Sequence, residues 1–188
     1  MKTITNSISN EIIIKNSKFI CLLYKVEKEE EIKMHIENAK KNFKDYTHLT
    51  YAWRINNKQK YNDDGEPTGT AGLPIMEVIL KNDLINILAI VIRYFGGIKL
   101  GAGGLIRAYS KACREALKLT TTEKYIMYNT YELITTYDKL KLLNTLTKNI
   151  DIIDKIFKEE IIYKIKIEKD KDNIEKLFLN TNIKVKKL

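Results

Sequence analysis

Half-cystine frameworks, membrane spans and secretory-signal patterns are the first things not expected from the sequence of these 188 residues. Only two cysteines occur, Cys21 and Cys113. They are too few and too far apart in the chain for a disulfide scaffold or a zinc site. The longest uninterrupted apolar run is Ile87 to Ile92. A membrane helix needs about 20 such residues. The N-terminal stretch MKTITNSISNEIIIKNSKF has no continuous apolar segment of the kind a secretory signal carries. A cytoplasmic protein is expected. Histidine is scarce as well, with only His35 and His48. Neither G-x-S-x-G nor H-E-x-x-H occurs, and no catalytic residue can be assigned from sequence.

Glycine and proline are also rare, and their placement is informative. All eight glycines and both prolines lie between Gly65 and Gly104. Glycine is used where φ is positive or where a backbone must approach another group closely. This window is therefore where a site is sought first.

What the chain does have is a globular balance, with 44% hydrophobic and 30% charged residues, and a net charge of +9. No basic tail carries that excess. From Tyr61 to Leu80 there are four acids (Asp63, Asp64, Glu66, Glu77) and no base. From Leu84 to Arg114 there are five bases (Arg93, Lys99, Arg107, Lys111, Arg114) and no acid. A run of one sign this long attracts polyanions unless an opposite run neutralises it.

Hydrophobic periodicity places strands over 11–15 and 18–26 around a turn at Asn16-Ser17, and a helix over 27–43 with Ile32, Ile36, Ala39 and Phe43 on one face. A strand follows over 49–56, then a polar loop over 57–72. A short helix is expected over 73–81, with Pro74 tolerated in its first turn. The β-branched run 84–95 reads as a buried central strand. A glycine-rich loop over 96–104 leads into a helical pattern over 105–119. Beyond Thr120–Thr122 the pattern is strand 125–136, helix 138–148, strands 149–157 and 161–168, helix 170–179 and strand 183–188. That order is β-α-β-β-α-β. Two domains are expected, 1–122 and 123–188, in an α+β chain.

Three features carry chemistry. In DDGEPTGTAG (63–72), Asp63, Asp64 and Glu66 order the loop, through bonds to backbone N–H groups or by pairing with Arg93 or Arg107, or hold a divalent cation through oxygen ligands. The calcium-loop alternation D-x-D-x-D-G is absent. In RYFGGIKLGAGG (93–104), Gly96, Gly97, Gly101, Gly103 and Gly104 let a phosphate approach the backbone at a helix start, or permit close packing at a crossover. Neither the Walker nor the dinucleotide spacing fits. On the following helix Arg107, Lys111, Arg114 and Lys118 recur at i, i+4, i+7 and i+11, forming a basic ridge beside the apolar stripe of Leu105, Tyr109, Ala112, Ala116 and Leu119. Such a ridge suits a nucleic-acid backbone or is a solvated face. Tyr46, Tyr51, Trp53, Tyr61, Tyr94 and Phe95 flank these motifs and offer rings for base stacking or for the core.

The segments DDGEPTGTAGLP (63–74) and VIRYFGGIKLGAGGLIRAYSKA (91–112) resemble the signature of the Impact family, including its bacterial YigZ-type members. NSKFICLLYKV and THLTYAWRI resemble it more loosely. The family usually has Asn-Cys or similar after the histidine, where this chain has Leu49-Thr50, so no cysteine role carries over. The resemblance implies an N-terminal fold like domain 2 of ribosomal protein S5 and a ferredoxin-like C-terminal domain. Eukaryotic relatives regulate translation, using an additional domain that is not expected in these 188 residues. It further implies a non-enzymatic RNA- or ribosome-binding protein with a role in regulation of translation and no cofactor. Arg93, Lys99, Arg107, Lys111 and Arg114 would be the nucleic-acid contacts. The alternatives are a phosphate- or nucleotide-binding enzyme using the glycine-rich loop, and a protein-docking module.

Overall fold

Alternate residues of the segment ILAIVIRY face opposite sides, and both sides are apolar. In the computed structural model, which describes residues 1–188, this segment forms the middle strand of a five-stranded sheet. The chain divides into two units, Met1–Tyr125 and Ile126–Leu188. No helix is long and apolar enough to cross a membrane.

The first unit contains strands β1 (Lys2–Ile4), β2 (Ile8–Ile14), β3 (Ser17–Lys25), β4 (His48–Ile55), β5 (Lys58–Asn62), β6 (Ile87–Tyr94) and β7 (Thr122–Lys124). Its helices are α1 (Glu29–Asn42), α2 (Gly72–Lys81) and α3 (Ala102–Leu117). The sheet order is β2-β3-β6-β4-β5, antiparallel throughout. Ile87, Ala89 and Val91 of β6 join a core with α2 and α3. Leu88, Ile90 and Ile92 join a second core that includes Ile32 and Ala39 of α1. One strand thus feeds two cores, because side chains alternate along it. β1 and β7 pair as a separate ribbon that ties the start of the chain to the end of this unit.

Among the local outcomes that differ from expectation, two flank the glycine-rich window. Residues 58–62, read as loop, form the edge strand β5, exposed along its whole length. Its Lys-Gln-Lys composition hides the strand from a pattern search but suits a sheet edge that must not pair further. The helix expected from 105 starts at Ala102, so Gly103 and Gly104 lie in its first turn. The β2–β3 connection at Lys15 and Asn16 has φ of 45° and 62°, the twist required of a two-residue hairpin turn.

The second unit has β8 (Tyr128–Thr135), α4 (Leu140–Leu146), β9 (Asp151–Phe157), β10 (Ile161–Glu168), α5 (Ile174–Leu177) and β11 (Lys184–Lys187). This is the expected β-α-β-β-α-β order, with sheet order β11-β8-β10-β9, all antiparallel. Tyr131, Leu133, Ile161, Tyr163 and Ile165 meet Leu143, Ile174 and Phe178 in its core. The second helix is shorter than the reading 170–179. Asp172 accepts a bond from the Ile174 N–H and turns the chain just before α5, leaving residues 169–171 as a 3-10 turn. Architecture across the chain is α+β in two units.

Candidate functional site

The loop between β5 and α2 is organised by its own carboxylates. Asp63 accepts from the N–H of Gly69 at 2.9 Å, Ala71 at 3.1 Å and Gly72 at 2.8 Å. It thereby closes the N-terminus of α2, whose first-turn donors have no partner within the helix. Asp64 accepts from the Leu49 N–H at 2.6 Å. Its own carbonyl lies 2.6 Å from His48 Nδ1, so that nitrogen carries the proton and donates. Glu66 is buried, with its side chain 3% exposed. Its Oε1 accepts from Arg93 Nη1 at 2.6 Å and from the Tyr109 hydroxyl at 2.7 Å. Its Oε2 lies 3.8 Å from His48 Nε2. The three carboxylates therefore diverge to different partners, and no group of three such side chains is gathered for a metal ion. Burial, reinforced by the bond to Glu66, pushes the Tyr109 phenol far above its ordinary range, so it stays a hydrogen donor.

Arg93, expected among the phosphate contacts, lies inside this network with its side chain 7% exposed. Its guanidinium is flanked by the Phe19 and Phe95 rings, 5.6 and 5.5 Å away. Nη1 is spent on Glu66, while Nε is buried without a partner. The other four expected cations are placed differently. Lys99, Arg107, Lys111 and Arg114 are all exposed, and none lies within ion-pair distance of a carboxylate. Lys118, on the same ridge, is held by Glu115 at 2.8 Å.

The glycine-rich segment has two jobs. A Cβ on Gly96 would come within 2.1 Å of the Asn16 carbonyl, so this glycine is a packing requirement of the β2–β3 turn. Gly97 and Gly101 have φ of 83° and 69° and open space above them. Gly101 precedes α3, and no side chain caps that helix. The first intrahelical bond runs from Leu105 N–H to Gly101 at 2.9 Å. The N–H groups of Ala102, Gly103 and Gly104 are left free. Gly101 and Ala102 line a cleft of about 360 Å³, whose walls also include His48, Arg93, Phe95 and Lys99.

Of the aromatic residues near the motifs, Phe95 and Tyr61 are exposed and Trp53 belongs to the core. The sequence reading placed Tyr109 in the apolar stripe of α3. Its place on Glu66 came from neither spacing nor motif, because the two meet only through the packing of α3 on the sheet.

A model of the Impact N-terminal domain matches residues 15–117. IMPACT family member YvyE of Bacillus subtilis is 49% identical over 118 residues, 61% of this chain and 54% of that protein. The match thus spans about half the length of that relative. IMPACT family member YigZ of Escherichia coli is 34% identical over 143 residues, 73% of this chain and 70% of that protein. One solved structure, described as that of a hypothetical protein, is 26% identical and superposes with a TM-score of 0.71, covering 100% of this chain and 96% of its own.

Proposed function

This chain belongs to the Impact family, and on that premise we propose that it is a non-enzymatic RNA- or ribosome-binding protein with a role in regulation of translation. One observation carries the RNA part of this reading. Lys99, Arg107, Lys111 and Arg114 are exposed, and none lies within ion-pair distance of a carboxylate. Exposed cations without a close ion pair, on one helix and the loop before it, offer charge to phosphate. The family's eukaryotic members, which regulate translation, support the second part. The buried Arg93–Glu66 pair then acts as a brace that fixes β6, the 63–72 loop and α3, rather than as a contact.

The test is RNA binding by the full chain at several salt concentrations, for wild type and for Arg107→Glu/Lys111→Glu/Arg114→Glu. Phosphate contacts release counterions, so wild-type affinity should fall steeply with salt and the variant's should fall less. These side chains are exposed, so the variant should keep the wild-type circular dichroism spectrum. Binding that ignores salt, or a variant that binds as well as wild type, would remove the ridge from the interface.

A further inference from the structure

Of the rings that flank the two motifs, Trp53 lies in the core that includes α1, and Tyr46, Tyr51 and Tyr94 pack against it. Tyr61 lies on the edge strand β5. Phe95 is the ring that keeps company with the exposed cations. We propose that the basic surface holds single-stranded RNA, with one unpaired base stacked on Phe95 and phosphates on Lys99 and Arg107. This rests on the RNA reading above and adds the strandedness of the ligand and the residue that recognises it.

Phe95 follows β6 and is 46% exposed, at the point where the strand gives way to the glycine-rich loop. Its backbone is nevertheless pinned. The Phe95 N–H donates to Thr47 Oγ1 at 2.9 Å, and the Gly96 N–H donates to Ser17 Oγ at 3.2 Å. Gly96 is itself packed against the Asn16 backbone. The Arg93 guanidinium stands over the ring at 5.5 Å. The ring is therefore held open on a fixed stem. One exposed apolar side chain is ordinary by itself, and the argument for a ligand comes from what surrounds this one.

Lys99 shares the cleft wall with Phe95, and both are exposed. Arg107 leans back over the first turn of α3, since a Cβ on Gly103 would lie 3.4 Å from its Nη1. Ala102, the residue before Gly103, belongs to the same wall as Phe95. Leu100, Leu105 and Pro67 continue the apolar surface. Glu66 is the one carboxylate in the wall, and it is buried and already receives Arg93 and Tyr109. An aromatic ring beside a track of cations is the build that binds single strands. Phosphates go to the cations, and an unpaired base covers the ring. A duplex offers the same phosphates but keeps its bases stacked on one another, so it leaves the ring uncovered.

The experiment measures binding of the full chain to a short RNA of mixed sequence, single-stranded and annealed to its complement, by fluorescence anisotropy over a series of salt concentrations. Phe95→Ala should lower affinity for the single strand about tenfold, the effect of losing one stacked base. Its salt slope should stay that of wild type, because no phosphate contact is lost, and duplex binding should not change. Phe95→Tyr keeps a ring and should bind as wild type does. Phe95→Leu keeps an apolar side chain without a ring and should bind like Phe95→Ala. Lys99→Ala should instead reduce the salt slope by about one. All four changes fall on exposed side chains, so circular dichroism spectra should match wild type. A Phe95→Ala variant that binds the single strand as tightly as wild type, or that weakens both forms alike, overturns the stacking site and leaves the ridge reading standing. Duplex binding without single-strand binding does the same. Equal binding by Phe95→Leu and Phe95→Tyr makes Phe95 an apolar contact of the kind a protein partner uses, and overturns base stacking. No binding of either form by wild type overturns the RNA reading and the stacking site together.

Discussion

Arg93 Nη1 and Glu66 Oε1 are 2.6 Å apart, with both side chains more than nine-tenths buried. The pair joins the central strand to the loop that precedes α2, and Tyr109 bonds the same oxygen from α3. Three elements that are remote in sequence are thus fastened at one carboxylate. Removing one partner leaves an uncompensated charge in the interior. Glu66→Ala should destabilise the first unit by about 3–5 kcal/mol. Urea unfolding followed by circular dichroism measures it. A change below about 1 kcal/mol, the ordinary size of an exposed pair, would contradict the burial described here.

Asp63 makes three bonds to backbone N–H groups at the start of α2. Removing a helix cap costs about 0.5–2 kcal/mol, and bonds to a charged acceptor are worth about 1.5–3 kcal/mol. Asp63→Ala should therefore cost about 2–3 kcal/mol. Asp63→Asn, which keeps an acceptor oxygen, should cost less. Denaturant midpoints of the two variants decide the order.

Adjacent glycines should respond in different ways. Gly96→Ala forces a Cβ against the Asn16 backbone at 2.1 Å, where no side chain can move aside. The cost expected of such overpacking is about 1–3 kcal/mol or more. Gly97→Ala meets nothing within 4 Å but must hold a φ of 83°. Its cost should be about 1–2 kcal/mol, the ordinary penalty of a left-handed non-glycine residue. Comparable thermal midpoints for the two would show that the turn yields.

His35 stacks on Tyr24 with ring centroids 3.9 Å apart and planes at 15°. Burial lowers its pKa below the ordinary 6.5, and Glu31 opposes the shift only in part. The folded state thus prefers the neutral ring, and the unfolded chain takes up the proton first. Stability rises with pH wherever the unfolded state holds more protons. The contribution is present above the ordinary histidine value and is lost as pH falls from there through the folded value. His35→Phe keeps a ring on Tyr24 and removes the titration. Its unfolding free energy should vary less with pH across that window, and an NMR titration of His35 should report the lowered value directly.

Two lysines on one ridge provide an internal control for the RNA reading. Lys111 has no ion-pair partner, whereas Lys118 bonds Glu115 at 2.8 Å. Each lost phosphate contact reduces the salt slope by about one. Lys111→Ala should do so. Lys118→Ala should change it less, because that ammonium is already partly neutralised. Equal effects in salt-dependent binding assays would remove the ion pair from the explanation.

The chain by itself determined its strands and helices wherever burial has a period. The run 87–94 alternates between two cores, α1 turns Ile32 and Ala39 inward, and the last 63 residues follow one β-α-β-β-α-β pattern. The glycine-rich window and the family signature were equally legible, since both are local. Polarity concealed β5, because an edge strand needs backbone pairing and not an apolar face. Only the tertiary structure decided what the charges do. In sequence Arg93 is one of five bases in an acid-free run, and in the fold it is the one buried on Glu66, 27 residues away in the chain. Charge is a property of a residue, but its availability depends on which groups the packing of β6, the 63–72 loop and α3 brings within bonding distance.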